Sequence, residues 1–175
     1  MQELVLYCVA LMAGASQTTQ SLIGACLHLS ILFPDMWRAL REDRSRIGIA
    51  IEEVLRWWTP VRSMARLATR DAEVGGRTIR EGDGVLLLYH AANRDEAIWG
   101  DDGERFDPSR DARMRHLAFG YGEHLCPGHF VARLEPRIVL EELLGRFASV
   151  EAAGSPVHHH STVMHGLEEL PVVFG

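Results

Sequence analysis

The chain has 175 residues, of which 47% are hydrophobic and 24% charged, with a formal net charge of −6. That length suits one domain, or at most two, and is enough for a real core. The composition excludes a disordered segment, and the acidic balance gives no electrostatic ground for a nucleic-acid partner. Three cysteines (Cys8, Cys26 and Cys126) lie in unrelated contexts, so they form neither a disulfide framework nor a zinc site. They read as reduced thiols of a cytoplasmic protein, two of them in the core.

Residues 3–33 carry apolar side chains nearly all round, the pattern of a helix buried in a large protein. Its first stretch, Leu4 to Gly14, follows Glu3 with no basic segment ahead of it, unlike a signal peptide, and is too short to span a bilayer. A polar run, Ser16 to Gln20, interrupts it, and polar groups mid-helix are costly unless bonded or used. A second helix is predicted from Pro34 to about Asp43, with Met36, Trp37 and Leu40 as its apolar side. A third, 47–58, stops ahead of Pro60. Small sheets are predicted over 65–90: strand-like Ala65 to Asp71 and Ala72 to Val74, a Gly75-Gly76 turn, Thr78-Ile79, and the apolar run Val85 to Tyr89. A short helix over Asn93 to Trp99 leads into a long loop, 100–127, rich in Gly, Asp and Arg; so long a connection is usually functional. Helical spacing returns over 128–147, and the tail carries one or two strands ending at Val172-Val173. The whole reads as one unit, mainly α with small β-sheets (α+β), without repeats.

Two groups of residues carry chemistry. Phe119-Gly120-Tyr121-Gly122-Glu123-His124-Leu125-Cys126-Pro127-Gly128 closes the loop. Its glycines allow tight turns and close approach to a flat object, and Cys126 is expected at a helix amino terminus, where unpaired N–H groups favour a thiolate. Glu53 and Arg56 stand at i and i+3 on one helical face; exposed, such a pair contributes under about 1 kcal/mol, but Ile49, Ile51, Leu55, Trp57 and Trp58 around it make a buried pair plausible. Consecutive His158, His159 and His160 point different ways and read as a solvated loop rather than a metal site.

The cysteine segment matches F-x-x-G-x-H-x-C-x-G at every defining position and resembles the haem-binding signature of the cytochrome P450 family, of the soluble bacterial type. The resemblance implies the carboxy-terminal part of the cytochrome P450 fold, with a terminal hairpin over 160–174, and haem b as cofactor. It makes Cys126 the axial ligand to the iron, a thiolate that pushes electron density toward bound oxygen. It implies that Phe119 packs by the sulfur, that backbone N–H groups bond it, that His124 contacts a propionate, and that Gly122 and Gly128 permit the loop. Glu53 and Arg56 resemble the family's ion pair, with Arg110, in Phe106-Asp107-Pro108-Ser109-Arg110, as its third member. Arg66 resembles a propionate-binding arginine.

Gly14-Ala15-Ser16-Gln17-Thr18-Thr19 resembles the kinked segment over the iron, which makes Thr18 the threonine that bonds dioxygen. Gln17 departs from the pattern, standing where an acid normally relays protons; an amide holds water but cannot give up a proton in that way. Pro136 is a second departure, inside the last helix, where proline costs about 3 kcal/mol and normally kinks. By resemblance Val61, Arg62, Val163 and Met164 could line a substrate pocket. The function implied is insertion of one oxygen atom of O2 into a small organic substrate, with electrons from a ferredoxin or a flavin-containing reductase, and with no membrane or nucleic-acid partner.

A full family member is more than twice as long, and Met1 falls inside the oxygen-binding helix, so this chain reads as a truncated, carboxy-terminal part with uncovered helix faces. Two readings stay open: a monooxygenase, or a non-catalytic haem-binding or structural remnant of one. A peroxide-using haem-thiolate enzyme is a third.

Overall fold

The apolar run that opens the chain forms one long helix, α1 (Gln2–Leu32), in a computed structural model that describes residues 1–113 and 115–175. Its two halves differ. Leu22, Ala25, Cys26 and Leu29 are buried, whereas Leu4, Leu6, Tyr7 and Met12 are more than half exposed. Burial on all sides, expected from the pattern, does not hold: the second half buries one face and leaves Ile23, Gly24, Leu27 and His28 half-buried, and among the described residues nothing covers the first half. The segment Gly14 to Thr19 lies within the continuous helix, and Thr18 turns its hydroxyl back to the Gly14 carbonyl (2.6 Å), a bond that competes with the helix ladder and bends helices slightly.

Pro34 starts α2 (Pro34–Glu42) at the one helical position where its missing N–H costs nothing, and Met36, Trp37 and Leu40 go into the core. A 3₁₀ turn capped by the Asp43 carboxylate leads to α3 (Ile47–Trp58). This helix ends at Thr59, whose left-handed backbone (φ 49°) breaks the ladder just before Pro60, while its hydroxyl donates to the Arg56 carbonyl at 2.7 Å. The second half of α1, α2, α3 and the last helix share a single core, through Leu22, Leu29, Trp37, Leu40, Val54, Leu55, Leu140 and Leu144.

Strands β1 (Ser63–Leu67), β2 (Ala72–Val74), β3 (Arg77–Ile79) and β4 (Gly84–Leu88) form two antiparallel pairs, β1 with β4 and β2 with β3. The first strand therefore starts and ends earlier than the predicted Ala65–Asp71, because Arg66 must pair with Val85 across the sheet. The helix predicted over 93–99 is instead two single turns, α4 (Tyr89–Ala92) and α5 (Glu96–Trp99), the second restarted by the Asp95 carboxylate accepting from the Ala97 N–H.

The last long helix, α6 (Val131–Arg146), begins later than expected and passes through Pro136, whose ring is buried. The hairpin expected over 160–174 lies earlier, between Val157–His158 and Leu167–Glu169. Of the last four strands, β5 (Val150–Ala152) pairs with β8 (Val172–Phe174), and β6 (Val157–His158) with β7 (Leu167–Glu169), so the terminal strands pair backward rather than with each other. Among the described residues no helix is long and apolar enough to cross a membrane.

Candidate functional site

Arg56 is fully buried and all five of its N–H donors are bonded. Nε and Nη2 reach the two Glu53 oxygens at 2.6 and 2.7 Å, Nη1 reaches the carbonyls of Asn93 (2.8 Å) and Gly103 (2.7 Å), and Nη2 also reaches that of Arg105 (3.0 Å). Trp99 covers the guanidinium face at 5.0 Å. Glu53, also fully buried, accepts the Asp107 N–H at 3.0 Å. Arg110 stands third, but loosely: its Nε lies 3.4 Å from Glu53 without hydrogen-bond geometry, and Asp102 is its main partner at 2.8 Å. The sequence offered two charges on one face; the fold uses them to hold the backbone of residues 93–107. Gly103 is needed for that approach, since a Cβ there would stand 2.7 Å from the Arg94 carbonyl.

A second ionic group, which the sequence did not announce, is centred on Glu52. Its oxygens take the fork of Arg133 (Nε 2.5 Å, Nη2 3.0 Å) and the Nε2 of His116 (2.8 Å). Burial pushes the Glu52 carboxyl up, but the bonds from His116 and Arg133 outweigh it and hold the pKa at about 2, below the usual 4.5. An adjacent pair of glutamates on a helix near the core was the available clue; which face each would take was not legible. Asn93 was missed likewise. Fully buried, it donates to the Thr59 hydroxyl (3.0 Å) and accepts the Leu117 N–H (2.6 Å), tying the end of α3 to the cysteine loop.

That loop turns through Gly120 and Gly122, both with left-handed backbone (φ 73° and 71°), and a 3₁₀ turn over Gly122–His124. The Cys126 N–H donates to the Phe119 carbonyl at 2.9 Å, which ties the backbone of the half-buried Cys126 to that of Phe119. Cys126 is not at the amino terminus of α6 as expected. Pro127 has no N–H to give, and a separate turn, with His129 N–H on the Cys126 carbonyl (3.3 Å), intervenes before Val131. Nor does any N–H of the described residues bond the sulfur, as the resemblance implied; Cys126's own N–H and carbonyl take the loop's bonds instead. Gly128 lies next to the sulfur: a Cβ there would sit 3.9 Å from Sγ, in ordinary van der Waals contact.

Arg66 and His124, far apart in sequence, line one cavity of about 300 Å³ together with Leu87, Leu88, Leu117 and Tyr121. Arg66 has no carboxylate partner among the described residues and donates to the Ala65 carbonyl at 2.9 Å. An apolar wall with an arginine and a histidine suits a flat apolar ring system bearing carboxylates, and Cys126, although it does not line the cavity, follows His124 on the same loop, so the residue types present fit a haem.

Gln17 lines a different, smaller cavity of about 220 Å³ with Ser21, His159, His160, Met164 and Glu168. Thr18 does not line it. Val61 forms a β-bridge with Met164, and the Arg62 N–H donates to the Val163 carbonyl at 2.7 Å, so the four proposed pocket residues meet, although Val163 is largely exposed. The Arg62 side chain belongs to another group, with His90, Arg94 and His165. Burial, aided by these guanidinium charges, holds His90 at about 4. Burial likewise holds His165 at about 4, against its bond to the Trp58 carbonyl. The His165 ring stacks on Trp58 at 3.8 Å, and His158 ends a strand near the same ring rather than lying in a loop.

Residues 1–165 match the family model described as Cytochrome P450, and the chain belongs to that family. Among relatives, it is 39% identical to a cytochrome P450 of Rhodopseudomonas palustris (CYP199A2), over 98% of this chain and 41% of the relative. It is 38% identical to the 20-oxo-5-O-mycaminosyltylactone 23-monooxygenase of Streptomyces fradiae, over 95% of this chain and 40% of the relative. Among solved structures it resembles P450BioI, crystallised with an acyl carrier protein bearing hexadec-9Z-enoic acid, with a TM-score of 0.91 and 38% identity over 96% of this chain and 44% of that one. The fold is thus that of part of a cytochrome P450, mainly α with small sheets, and the family implies haem iron. The chain spans about two-fifths of the length of these relatives.

Proposed function

We propose that the chain is the haem-binding, carboxy-terminal portion of a cytoplasmic monooxygenase, in which the Cys126 thiolate would hold the iron of haem b. The observation that carries this is the pairing of a free thiol, on a loop anchored by the buried Glu53–Arg56 pair, with a cavity rimmed by Arg66 and His124. Bound there, haem supplies the chemistry that activates O2: RH + O2 + 2 e⁻ + 2 H⁺ gives ROH + H2O. The residues' own parts are simpler. Cys126 gives up its proton and offers sulfur. Arg66 and His124 bind carboxylates at the rim. Phe119 shields the sulfur side, and Gly122 and Gly128 keep side chains out of the way.

Thr18 and Gln17 hold water by hydroxyl and amide, and Gln17, lacking an acidic proton, slows proton delivery. Val61, Arg62, Val163 and Met164 border the space for a small organic substrate, and a ferredoxin or flavin-containing reductase is the electron donor. Reducing the haem-loaded protein under carbon monoxide tests the core of this. The red-shifted absorption band of thiolate ligation is expected, and its absence from a fully haem-loaded sample, or its survival in Cys126→Ser, refutes the assignment.

The uncovered apolar face of α1 (Leu4, Leu6, Tyr7, Met12) favours a second reading for the chain standing alone: a haem-binding or structural piece without turnover. A thiolate band with no substrate-dependent electron consumption would identify it.

A further inference from the structure

We propose that Glu52 is the positioning residue for the second half of the cysteine loop, acting through Arg133 and Phe119 on Cys126. Neighbouring residues of an α-helix point about 100° apart, so Glu52 and Glu53 leave α3 in different directions. Glu53 and Arg56 hold the backbone of residues 93–107. Glu52 takes the remainder, from His116 to Arg133.

The connection is continuous. Glu52 is 5% exposed and accepts three bonds, two of them from the planar fork of Arg133. Held flat, the Arg133 guanidinium lies 4.5 Å over the Phe119 ring, and its Nη1 donates to the His129 carbonyl at 3.0 Å. His116 takes the Ala118 N–H on Nδ1 (3.2 Å), with its Nε2 standing 2.8 Å from the Glu52 carboxylate. Residues on both sides of Cys126 are therefore fastened to one carboxylate. Phe119, between them, takes the Cys126 N–H on its carbonyl. Neither Glu52 nor Arg133 bonds the sulfur; their action is on where the sulfur sits. The inference takes from the proposed function the identity of Cys126 as the ligand, but the clamp itself rests on geometry.

Two variants separate charge from shape. Glu52→Gln keeps the volume and removes the charge, presenting an amide N–H₂ to a donor. Arg133→Lys keeps the charge but cannot bond bidentately or lie flat on Phe119. Amide hydrogen exchange on the purified chain, read by mass spectrometry, is the first measurement. Peptides from 116–130 are expected to exchange at least about tenfold faster in both variants, with the core amides of α1 and α2 changed less than about twofold. Arg137→Gln, which breaks an exposed pair with Glu141, serves as control and should change neither. Unchanged exchange at 116–130 in Arg133→Lys, or equal acceleration everywhere, overturns the proposal, and that variant decides alone if Glu52→Gln does not fold.

The second measurement is the carbon monoxide band. In both variants part of the band should move to the unshifted position at equal haem content, whereas a purely structural role would lower haem content and leave the band's position alone. A parent protein with no thiolate band counts against the proposed function, and exchange then decides this inference by itself.

Discussion

Replacing Arg56 by Met removes a buried cation and leaves its partners in place. Glu53 keeps the Asp107 N–H and the loose contact with Arg110, while the carbonyls of Asn93, Gly103 and Arg105 lose their donor inside the protein. Stranding one charge of a buried pair costs about 3–5 kcal/mol, against a folding stability for a domain of about 5–15 kcal/mol. With a urea dependence of about 1–3 kcal/mol/M, the unfolding midpoint should fall by at least about 1 M. Tryptophan fluorescence reports it, since Trp57, Trp58 and Trp99 lie around the pair. Haem uptake, followed by absorbance, should be abolished, as it should for Glu53→Ala. Adding Glu53→Gln to Arg56→Met should destabilise by less than the two changes summed, because the second removes the charge that the first strands. A loss below about 1 kcal/mol, the value of an exposed pair, would refute the reasoning.

Other predictions follow the same logic. Glu52 contributes stability in its charged form, with His116, Arg133 and the more distant Arg113 facing it. Because its folded pKa is depressed to about 2 from 4.5, that stability is complete above pH 4.5 and is lost as pH falls toward 2; linkage makes it on the order of 3 kcal/mol. Urea titrations between pH 6 and 2.5 should show a slope that Glu52→Gln flattens. Gly103→Ala should cost about 1–3 kcal/mol in thermal or urea unfolding, since its Cβ would meet backbone that cannot move without releasing Arg56. Arg66→Gln should weaken haem affinity about tenfold or more by absorbance titration, the value of one charge-assisted bond, while leaving unfolding unchanged. Cys26, buried and pushed up to about 12, should resist iodoacetamide at pH 8 until the protein is unfolded, whereas exposed Cys8 and half-buried Cys126 should be labelled, as peptide mass spectrometry would show.

Much of the site is legible in the sequence because its elements are local. The glycines around Cys126 and the i, i+3 spacing of Glu53 and Arg56 are properties of consecutive residues, and helices α2 and α3 follow from Pro34, Pro60 and apolar spacing between them. What escaped were relations across the chain. The network of Glu52, His116 and Arg133 joins positions up to 81 residues apart, and no periodicity marks which of two adjacent glutamates turns toward a distant histidine. The start of α6 was misplaced because its onset depends on how the turn after Cys126 uses its hydrogen bonds. The terminal strands were misjudged because strand partners are chosen by packing.

The sequence by itself determined the kind of chemistry on offer: a lone cysteine in a glycine-rich loop, a helix carrying a paired acid and base, and an arginine awaiting an anion. Local covalent geometry and helical period suffice for those, so they are written in short spans of residues. The tertiary structure decided which charges are buried, that Arg66 and His124 share one rim, and that two neighbouring glutamates divide the cysteine loop between them. Burial and ion pairing depend on what the rest of the chain places within a few ångströms, and that information is spread over the whole fold.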